Sequence, residues 1–326
     1  MNQEIQKILS AFNIQPVLVD VGASGVPPAI WDPIAKKSIY LGFDPDRREL
    51  HDIPDGQYSR SIIVNEAITA TESGKVSFYL TRSPYCSSTL PPDTEALKDY
   101  IFSDDFTVEN QVSVAASTLN AVIDRLSLQH LDWFKADSQG TDLRLFQSLR
   151  DDLRKSVIAV DIEPGLIDAY RGEDLFVDSH KALLKEGFWL SSLDIKGTVR
   201  MKRDTLDKLT DSGYPLKEMD IHKSVRLSPG WCEARYLRTL DSLVAEEKGQ
   251  RDYILLWIFA IIEKHWGFAL DIASGYEERF GRDSILSQLY NLPLQQINLR
   301  NTGLRGIIKK VLPNPVKEFL GRLAKR

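Results

Sequence analysis

Cysteine and histidine are scarce in this chain of 326 residues, and the scarcity limits its chemistry. Two cysteines, Cys86 and Cys232, cannot build a disulfide framework or a four-thiolate zinc site. The five histidines form no HExxH, HxH or Cys–His pattern, so we expect no metal site. Glycine and proline occur at average levels, which excludes collagen-like and low-complexity chains.

The sequence also lacks long apolar segments. Its longest apolar run, Tyr253 to Ile262, has ten residues, whereas a membrane-spanning helix needs about 20. The first residues show no basic segment followed by an apolar one, so no signal peptide is predicted. We therefore expect a soluble, cytoplasmic protein with reduced thiols.

Charge is distributed unevenly along the chain. The net charge is −5, but residues 300–326 carry +7, which leaves −12 on the rest. An acidic body disfavours nucleic-acid binding, because phosphate contacts require a basic surface.

Short apolar runs that stop at polar residues alternate with helix-compatible segments up to about residue 240. The run Val17 to Val21 stops at Gly22 and is typical of a buried parallel strand. This alternation predicts an α/β fold with a doubly wound, Rossmann-like parallel sheet. The other predicted strands are 38–43, 61–64, 75–80, 113–116, 131–136, 157–162 and 188–193, and the predicted helices are 29–37, 119–126 (capped by Thr118), 141–149 and 179–185.

The composition changes near residue 240, where the chain becomes rich in leucine and isoleucine. This change predicts two parts, a domain over 1–240 and a helical appendage over 241–326. The polar tract from Met201 to Gly230 is predicted to be a long connection that serves as a lid or substrate loop.

A glycine-rich turn follows the first strand, with the sequence Asp20-Val-Gly22-Ala-Ser24-Gly25. Such a turn lets the backbone approach a ligand closely and aims amide groups at it. Asp44 ends the second strand, 19 residues after Gly25, where a carboxylate can accept both ribose hydroxyls of an adenosine cofactor.

Two cofactors fit an acid at that position, and the loop favours one of them. NAD carries a pyrophosphate and usually requires all three glycines of GxGxxG, of which this loop has two. S-adenosylmethionine (SAM) carries a positive sulfonium and amino group, which suit Asp20 and Asp137 at strand ends. SAM is therefore the predicted cofactor.

Several blocks of the sequence, in this order, resemble the FkbM family of SAM-dependent methyltransferases. The resemblance covers about residues 16–240, with Asp44 and Asp142 standing where the family usually has Glu. The matching blocks are 19–25, 43–45, 65–68, 74–79, 87–88, 118–120, 134–142, 161–163, 170–176, 187–188 and a weaker one at 230–238.

The resemblance implies a class I methyltransferase sheet and O-methylation of a sugar hydroxyl in a surface glycan, a glycolipid precursor or another small acceptor. Methyl transfer is an in-line displacement that needs proximity and a base for the hydroxyl proton. We assign Asp137 and Glu163 to catalysis, and Asp161, Tyr170 and Arg171 to substrate binding. The residues assigned to the cofactor are Asp20, Gly22, Ala23, Ser24, Gly25, Asp44, Glu66, Ala67 and Asp137.

Other interpretations stay open at this point. Glu163 can instead form an ion pair with Lys135 that joins two strand ends, and Tyr170 and Arg171 can be ordinary residues at the start of a helix. A nucleotide-sugar oxidoreductase would need a Tyr-x-x-x-Lys pair, which the candidate tyrosines lack. A non-catalytic binding protein of polysaccharide biosynthesis would keep the fold without binding SAM.

The basic C-terminal tail has an apolar stripe at helical spacing, which includes Leu304, Ile307 and Val311. Gly303 and Pro313 are predicted to bound its first helix. The tail could bind an anionic membrane surface peripherally, or its stripe could dock on the appendage or on a second subunit of a homo-oligomer.

Overall fold

The computed structural model describes residues 1–46, 54, 56–71, 74–214 and 218–311, without the side chains of 219 and 300–311. It divides into two compact units, of which the first is Asn2–Asp252 and the second begins at Tyr253. The helix over 240–245, which follows the change of composition at residue 240, lies in the first unit.

A seven-stranded sheet forms the centre of the first unit, with the strand order β3-β2-β1-β7-β8-β10-β9. The first five strands in this order run parallel, and β10 pairs antiparallel with both β8 and β9. The fold is therefore α/β with a mostly parallel sheet. The strands of the chain are β1 (Val17–Val21), β2 (Ile39–Phe43), β3 (Arg60–Val64), β4 (Ala67–Ile68), β5 (Gly74–Thr81), β6 (Val108–Ser117), β7 (Trp133–Ala136), β8 (Ala159–Ile162), β9 (Phe188–Thr198) and β10 (Ser228–Arg238).

Helices flank this sheet and make up what the structure describes of the second unit. Thr118 caps α3 as predicted, since its hydroxyl accepts a hydrogen bond from the Ala121 amide at 3.2 Å. The helices are α1 (Asn2–Ala11), α2 (Thr94–Leu97), α3 (Leu119–Arg125), α4 (Asp142–Gln147), α5 (Asp151–Ser156), α6 (Phe176–Lys185), α7 (Arg203–Asp211), α8 (Glu218–Ser224), α9 (Leu240–Ala245), α10 (Gln250–Ile262), α11 (Trp266–Phe280) and α12 (Leu286–Val311).

The inner strands form where the sequence predicts them because they are apolar on both faces. All five residues of β1 and all five of β2 are buried, as expected for central parallel strands covered by helices. Parallel strands end at the same edge of the sheet, so the residues that follow β1, β2, β7 and β8 gather there.

Two predicted strands belong to a different sheet. The runs predicted over 75–80 and 113–116 form β5 and β6, which pair antiparallel in a separate three-stranded sheet with β4. The predicted parallel sheet was wrong for these two strands, because alternation along a strand does not specify its partner. In the seven-stranded sheet β10 alone runs antiparallel, so β9 has the same direction as the five parallel strands.

Three other predictions were wrong. The helix predicted over 29–37 is two 3₁₀ turns, Ala29–Trp31 and Ala35–Lys37, on either side of Pro33, which cannot donate a helical hydrogen bond. The long connection predicted over 201–230 contains α7, α8 and the start of β10.

The third error concerns the C-terminal region. Gly303 does not begin a helix, because α12 runs through it from Leu286 to Val311. The apolar stripe and the segment from 312 onward lie outside the described side chains and residues. Among the residues that the structure describes, no helix is long and apolar enough to cross a membrane.

In the second unit, α10 and the two helices after it are tied by side-chain contacts. Trp257 donates its indole hydrogen bond to the carbonyl of Leu289 at 3.1 Å, and the rings of Tyr253 and Phe280 lie edge to face. Ten consecutive residues of α10 from Tyr253 are buried, so the apolar run seen in the sequence is a core helix.

Candidate functional site

Two cavities of the first unit meet at the carboxyl edge of the sheet. The first, which we call the glycine-loop cleft, has about 710 Å³ of empty space that includes room open to solvent. It is lined by the ends of β1, β2 and β7 and by the segments 66–68 and 84–89. Of the predicted cofactor residues, Gly22, Ser24, Asp44, Glu66, Ala67 and Asp137 line this cleft.

Gly22 is required by the backbone rather than by a ligand. Its φ is +76°, and a Cβ there would lie 2.0 Å from the carbonyl oxygen of Asp137. The amides of Gly22 and Ala23 both donate to the carbonyl of Phe43 at 2.9 Å, so they do not face a ligand. Gly25 has a φ of +81° and open space around it. The turn therefore holds β1, β2 and β7 together and forms no amide cradle at Gly22 and Ala23.

Asp44 lies at the end of β2, as predicted, and faces the cleft. One carboxylate oxygen accepts a hydrogen bond from the amide of Asp46 at 2.7 Å. Burial raises the pKa of Asp44 to about 6. The group is mostly ionised at neutral pH and has a second oxygen for a ligand hydroxyl.

One wall of the glycine-loop cleft is apolar, and its polar part carries carboxylates. Ala67, Ile68 and Phe78 form an apolar face suited to a flat ring. Glu66 accepts a hydrogen bond from Ser117 and pairs with Arg125 at 3.3 Å. Among the described residues that line the cleft there is no lysine or arginine, and the acids are Asp44, Asp46, Glu66 and Asp137.

Asp20 is buried and does not line the cleft. Its carboxylate pairs with the Lys135 ammonium at 2.9 Å and accepts a hydrogen bond from the Tyr40 hydroxyl at 2.9 Å. Burial lowers the pKa of Lys135, but Asp20, Asp137 and Glu163 more than offset this, so its pKa is raised. The ion pair that joins strand ends is thus Lys135–Asp20, in place of the alternative Lys135–Glu163 pair.

Asp137 lines both cavities. Gln139, whose φ is +57°, donates a hydrogen bond to its carboxylate and accepts one from the Tyr170 hydroxyl at 2.7 Å. Burial raises the pKa of Asp137, although Lys135 and Gln139 act in the opposite direction. A carboxylate in this environment gains from a nearby positive ligand.

Glu163 follows β8 and lines the second cavity. Its amide donates to Asp142 at 2.8 Å, and the same Asp142 also accepts the amide of Ser138 at 2.8 Å. Asp142 therefore ties the loop that carries Asp137 to the end of β8. Among the described residues, no side chain or amide donates a hydrogen bond to the Glu163 carboxyl group. Burial and the charge of Asp137 raise the pKa of Glu163 to about 9.

The second cavity, which we call the aromatic cavity, has about 1240 Å³ of empty space, again including room open to solvent. Its walls come from the 3₁₀ turns near 85 and 105, the loop 163–173, α8 and the start of β10. The aromatic side chains that line it are Tyr85, Phe102, Phe106, Tyr170 and Trp231.

The three residues predicted to bind substrate lie in different places. Tyr170 is buried in the wall of the aromatic cavity, and its hydroxyl also lies 2.9 Å from the carbonyl of Cys86. Asp161 lies beside Glu163 in a third pocket and pairs with Arg235 at 2.6 Å. Arg171 is exposed and lines neither cavity.

Sequence reasoning missed Gln139, Tyr85, Trp231 and Glu173. Glu173 accepts hydrogen bonds from the amides of Gly165, Ala169 and Tyr170 at 2.8 to 3.1 Å and thereby shapes the wall of the aromatic cavity. These residues come from connections and an antiparallel strand, where no periodic pattern indicates a site.

Neither a metal-binding cluster nor a match to a known protein indicates the chemistry of this site. Among the described residues, no group of three or more His, Cys, Asp or Glu side chains is arranged to hold a metal ion. Comparison of the chain with models of known protein families, with curated proteins and with solved structures gave no match.

Proposed function

We propose that this protein is a SAM-dependent O-methyltransferase whose acceptor is a saccharide hydroxyl. The proposal rests mainly on one observation. A carboxylate-lined cleft at the ends of β1, β2 and β7 opens at Asp137 into an aromatic cavity that contains Glu163. A cofactor and an acceptor can therefore bind side by side at one carboxylate.

The sheet order supports a methyltransferase over a dinucleotide-binding enzyme. Numbered within the seven-stranded sheet, the strands read 3-2-1-4-5-7-6, with the seventh antiparallel. The dinucleotide-binding order is 3-2-1-4-5-6 and parallel. An antiparallel strand inserted next to the fifth is the arrangement of class I methyltransferases, the group that includes the family resembled by the sequence.

The residues of the glycine-loop cleft fit SAM better than a pyrophosphate cofactor. The described lining lacks a lysine or arginine, and the amides of Gly22 and Ala23 are bonded to Phe43. Asp44 can accept ribose hydroxyls, and Ala67, Ile68 and Phe78 can cover an adenine. Asp137 offers negative charge where the cofactor's positive groups would lie.

The proposed reaction uses Asp137 for electrostatics and Glu163 for proton transfer. When bound, SAM supplies a methyl group to an acceptor oxygen, while its sulfur keeps the electrons of the broken bond. Asp137 favours positive charge at the junction of the two cavities. Glu163 takes the proton of the acceptor hydroxyl.

Glu163 can act as a base only when it is ionised, and its raised pKa opposes ionisation. With a pKa of about 9, the group is protonated at neutral pH in the free protein. A positive ligand nearby lowers the pKa of a carboxyl group, because opposite charge favours the ionised form. Binding of the positive cofactor is thus expected to release a proton and leave Glu163 ready to act as a base.

Isothermal calorimetry with SAM, S-adenosylhomocysteine and NAD tests the proposal. We expect both sulfur nucleosides to bind and NAD to give no signal. Repeating the SAM titration in two buffers of different ionisation enthalpy should reveal proton release. Binding of NAD alone, or of none of the three, would contradict the proposal.

A further inference from the structure

The aromatic cavity has the walls of a sugar-binding site. Trp231 is 41% exposed and Tyr85 is 60% exposed, which is unusual for large aromatic rings, and both line the cavity. Phe102, Phe106 and Tyr170 complete the aromatic lining. Rings in such positions can cover the apolar face of a sugar or the face of a cation.

Most of the titratable side chains that line this cavity are acidic. Its acids are Asp105, Asp137, Glu163, Glu173 and Glu218, and among the described residues that line it His222 is the only one with a basic side chain. Glu173 is occupied by three backbone amides, and Glu218 pairs with Arg203 at 2.6 Å. Burial raises the pKa of Asp105, and the nearby charges of Glu218 and Asp104 raise it further.

Two acids of this cavity, Asp105 and Glu218, which we call the far-wall acids, are not explained by the cofactor. Asp105 is on a 3₁₀ turn and Glu218 is on α8, and neither lines the glycine-loop cleft. A phosphate or carboxylate beside Asp105 would meet negative charge, and the nearby Arg203 is already paired with Glu218. An ammonium group would meet both carboxylates and aromatic faces.

We infer that the acceptor is an amino sugar, a saccharide with a protonated amine and no phosphate or carboxylate on the ring that enters the cavity. This inference rests on the proposed function, since it names the substrate class of the same site. The aromatic rings hold the sugar, the far-wall carboxylates of Asp105 and Glu218 hold the ammonium group, and the acceptor hydroxyl lies toward Glu163.

Binding of four monosaccharide probes, measured by ligand-detected NMR with S-adenosylhomocysteine present, tests the inference. The probes are methyl glucosaminide, methyl N-acetylglucosaminide, methyl glucoside and glucose 6-phosphate. We expect the glucosaminide to bind about tenfold more tightly than the glucoside and the N-acetyl sugar, and the phosphate to show no binding. Equal binding of all four, tighter binding of the phosphate, or no binding of any would overturn the inference.

A double variant and a control variant test which residues cause the preference for the glucosaminide. Asp105→Asn combined with Glu218→Gln should reduce the glucosaminide preference to about twofold or less, because two carboxylates are lost and Arg203 loses its partner. Asp104→Asn is the matched control, since Asp104 is on the same turn but pairs with Arg82 at 3.2 Å outside the cavity. A preference that survives the double variant would contradict the assignment.

The sugar measurements and the cofactor titration test the two proposals independently. If glucosaminide binds selectively to a protein that does not bind SAM, the cavity assignment stands and the methyltransferase proposal fails. If SAM binds but no sugar is preferred, the methyltransferase proposal stands and the acceptor assignment fails.

Discussion

The glycine-loop cleft and the aromatic cavity differ in what holds their walls together. Backbone contacts hold the cleft: parallel strands pair, and the turn at Gly22 lies against Asp137. Side-chain carboxylates hold the cavity, with Glu173 bonded to three amides and Asp142 to two. Changes to the backbone turn of the cleft should therefore affect folding first, and changes to the cavity should affect chemistry and pH dependence first.

The largest expected effect breaks the backbone of the cleft. Gly22→Val places a branched side chain 2.0 Å from a carbonyl oxygen, at a φ of +76° that valine rarely adopts. We expect a loss of about 4 kcal/mol or more in the free energy of unfolding, measured by urea denaturation. Gly25→Ala is the control, since its surroundings are open and its loss should be near 1 kcal/mol. Similar losses in both variants would contradict the backbone role of Gly22.

The buried ion pair between Lys135 and Asp20 should also be structural. Lys135→Met leaves Asp20 buried without its cation, which should cost about 3–5 kcal/mol of stability. Adding Asp20→Asn to Lys135→Met should recover part of this loss, which chemical denaturation of the three variants would show. A double variant less stable than Lys135→Met would contradict the claim that the loss comes from an unpaired Asp20 carboxylate.

Glu163→Gln tests the chemical side of the comparison. If Glu163 is the base, turnover at saturating SAM should fall about 10²-fold. SAM affinity should fall only about tenfold or less, because Glu163 is neutral before the cofactor binds and gains charge only in the complex. Turnover is measured with labelled SAM and a panel of saccharides, and affinity by calorimetry. Asp161→Asn is a useful companion, because Asp161 is already paired with Arg235 and should matter less to the reaction. Unchanged turnover in Glu163→Gln would remove Glu163 from the mechanism.

Asp44→Ala separates ligand binding from folding within the cleft. The loss of charge-assisted hydrogen bonds should weaken SAM binding by about 2–3 kcal/mol, with little change in the urea midpoint. In the unmodified protein, affinity should fall as the pH drops below about 6, because Asp44 becomes protonated there. Normal affinity in the variant would mean that the ribose does not lie at Asp44.

The smallest effect is the pH dependence of stability. Glu163 holds its proton more tightly in the folded protein, with a pKa of about 9, than in the unfolded chain. Its contribution to stability is therefore complete at low pH and is lost as the pH rises toward 9. Between pH 7 and pH 9, Glu163→Gln should lose about 1–2 kcal/mol less stability than the unmodified protein. Equal slopes would show that the Glu163 pKa is not raised.

The difference between the two cavities also explains how far the sequence could predict them. The cleft follows the ends of short strands that are apolar on both faces, so Asp44, Asp137 and the glycine turn were visible as breaks in apolar runs. The role of Gly22 was not, because the carbonyl that it meets comes from a residue 115 positions along the chain.

The aromatic cavity could not be predicted in the same way. Tyr85, Gln139 and Trp231 have no common periodicity, and Trp231 joins the other two only because β10 lies antiparallel beside β8. The tract over 201–230 has a polar composition that indicated a loop, yet tertiary contacts of Leu206 and Ile221 stabilise two amphipathic helices there. Asp20 was assigned to the cofactor because the sequence could not show that it pairs with Lys135, which lies on another strand.

A crystal structure of the protein with S-adenosylhomocysteine tests the central claim most directly. We expect the ribose hydroxyls within hydrogen-bond distance of Asp44, the adenine against Ala67, Ile68 and Phe78, and the sulfur at Asp137, where the cleft opens into the aromatic cavity. A nucleoside bound elsewhere, or bound in the cleft with its sulfur away from Asp137, would contradict the assignment of this site to methyl transfer.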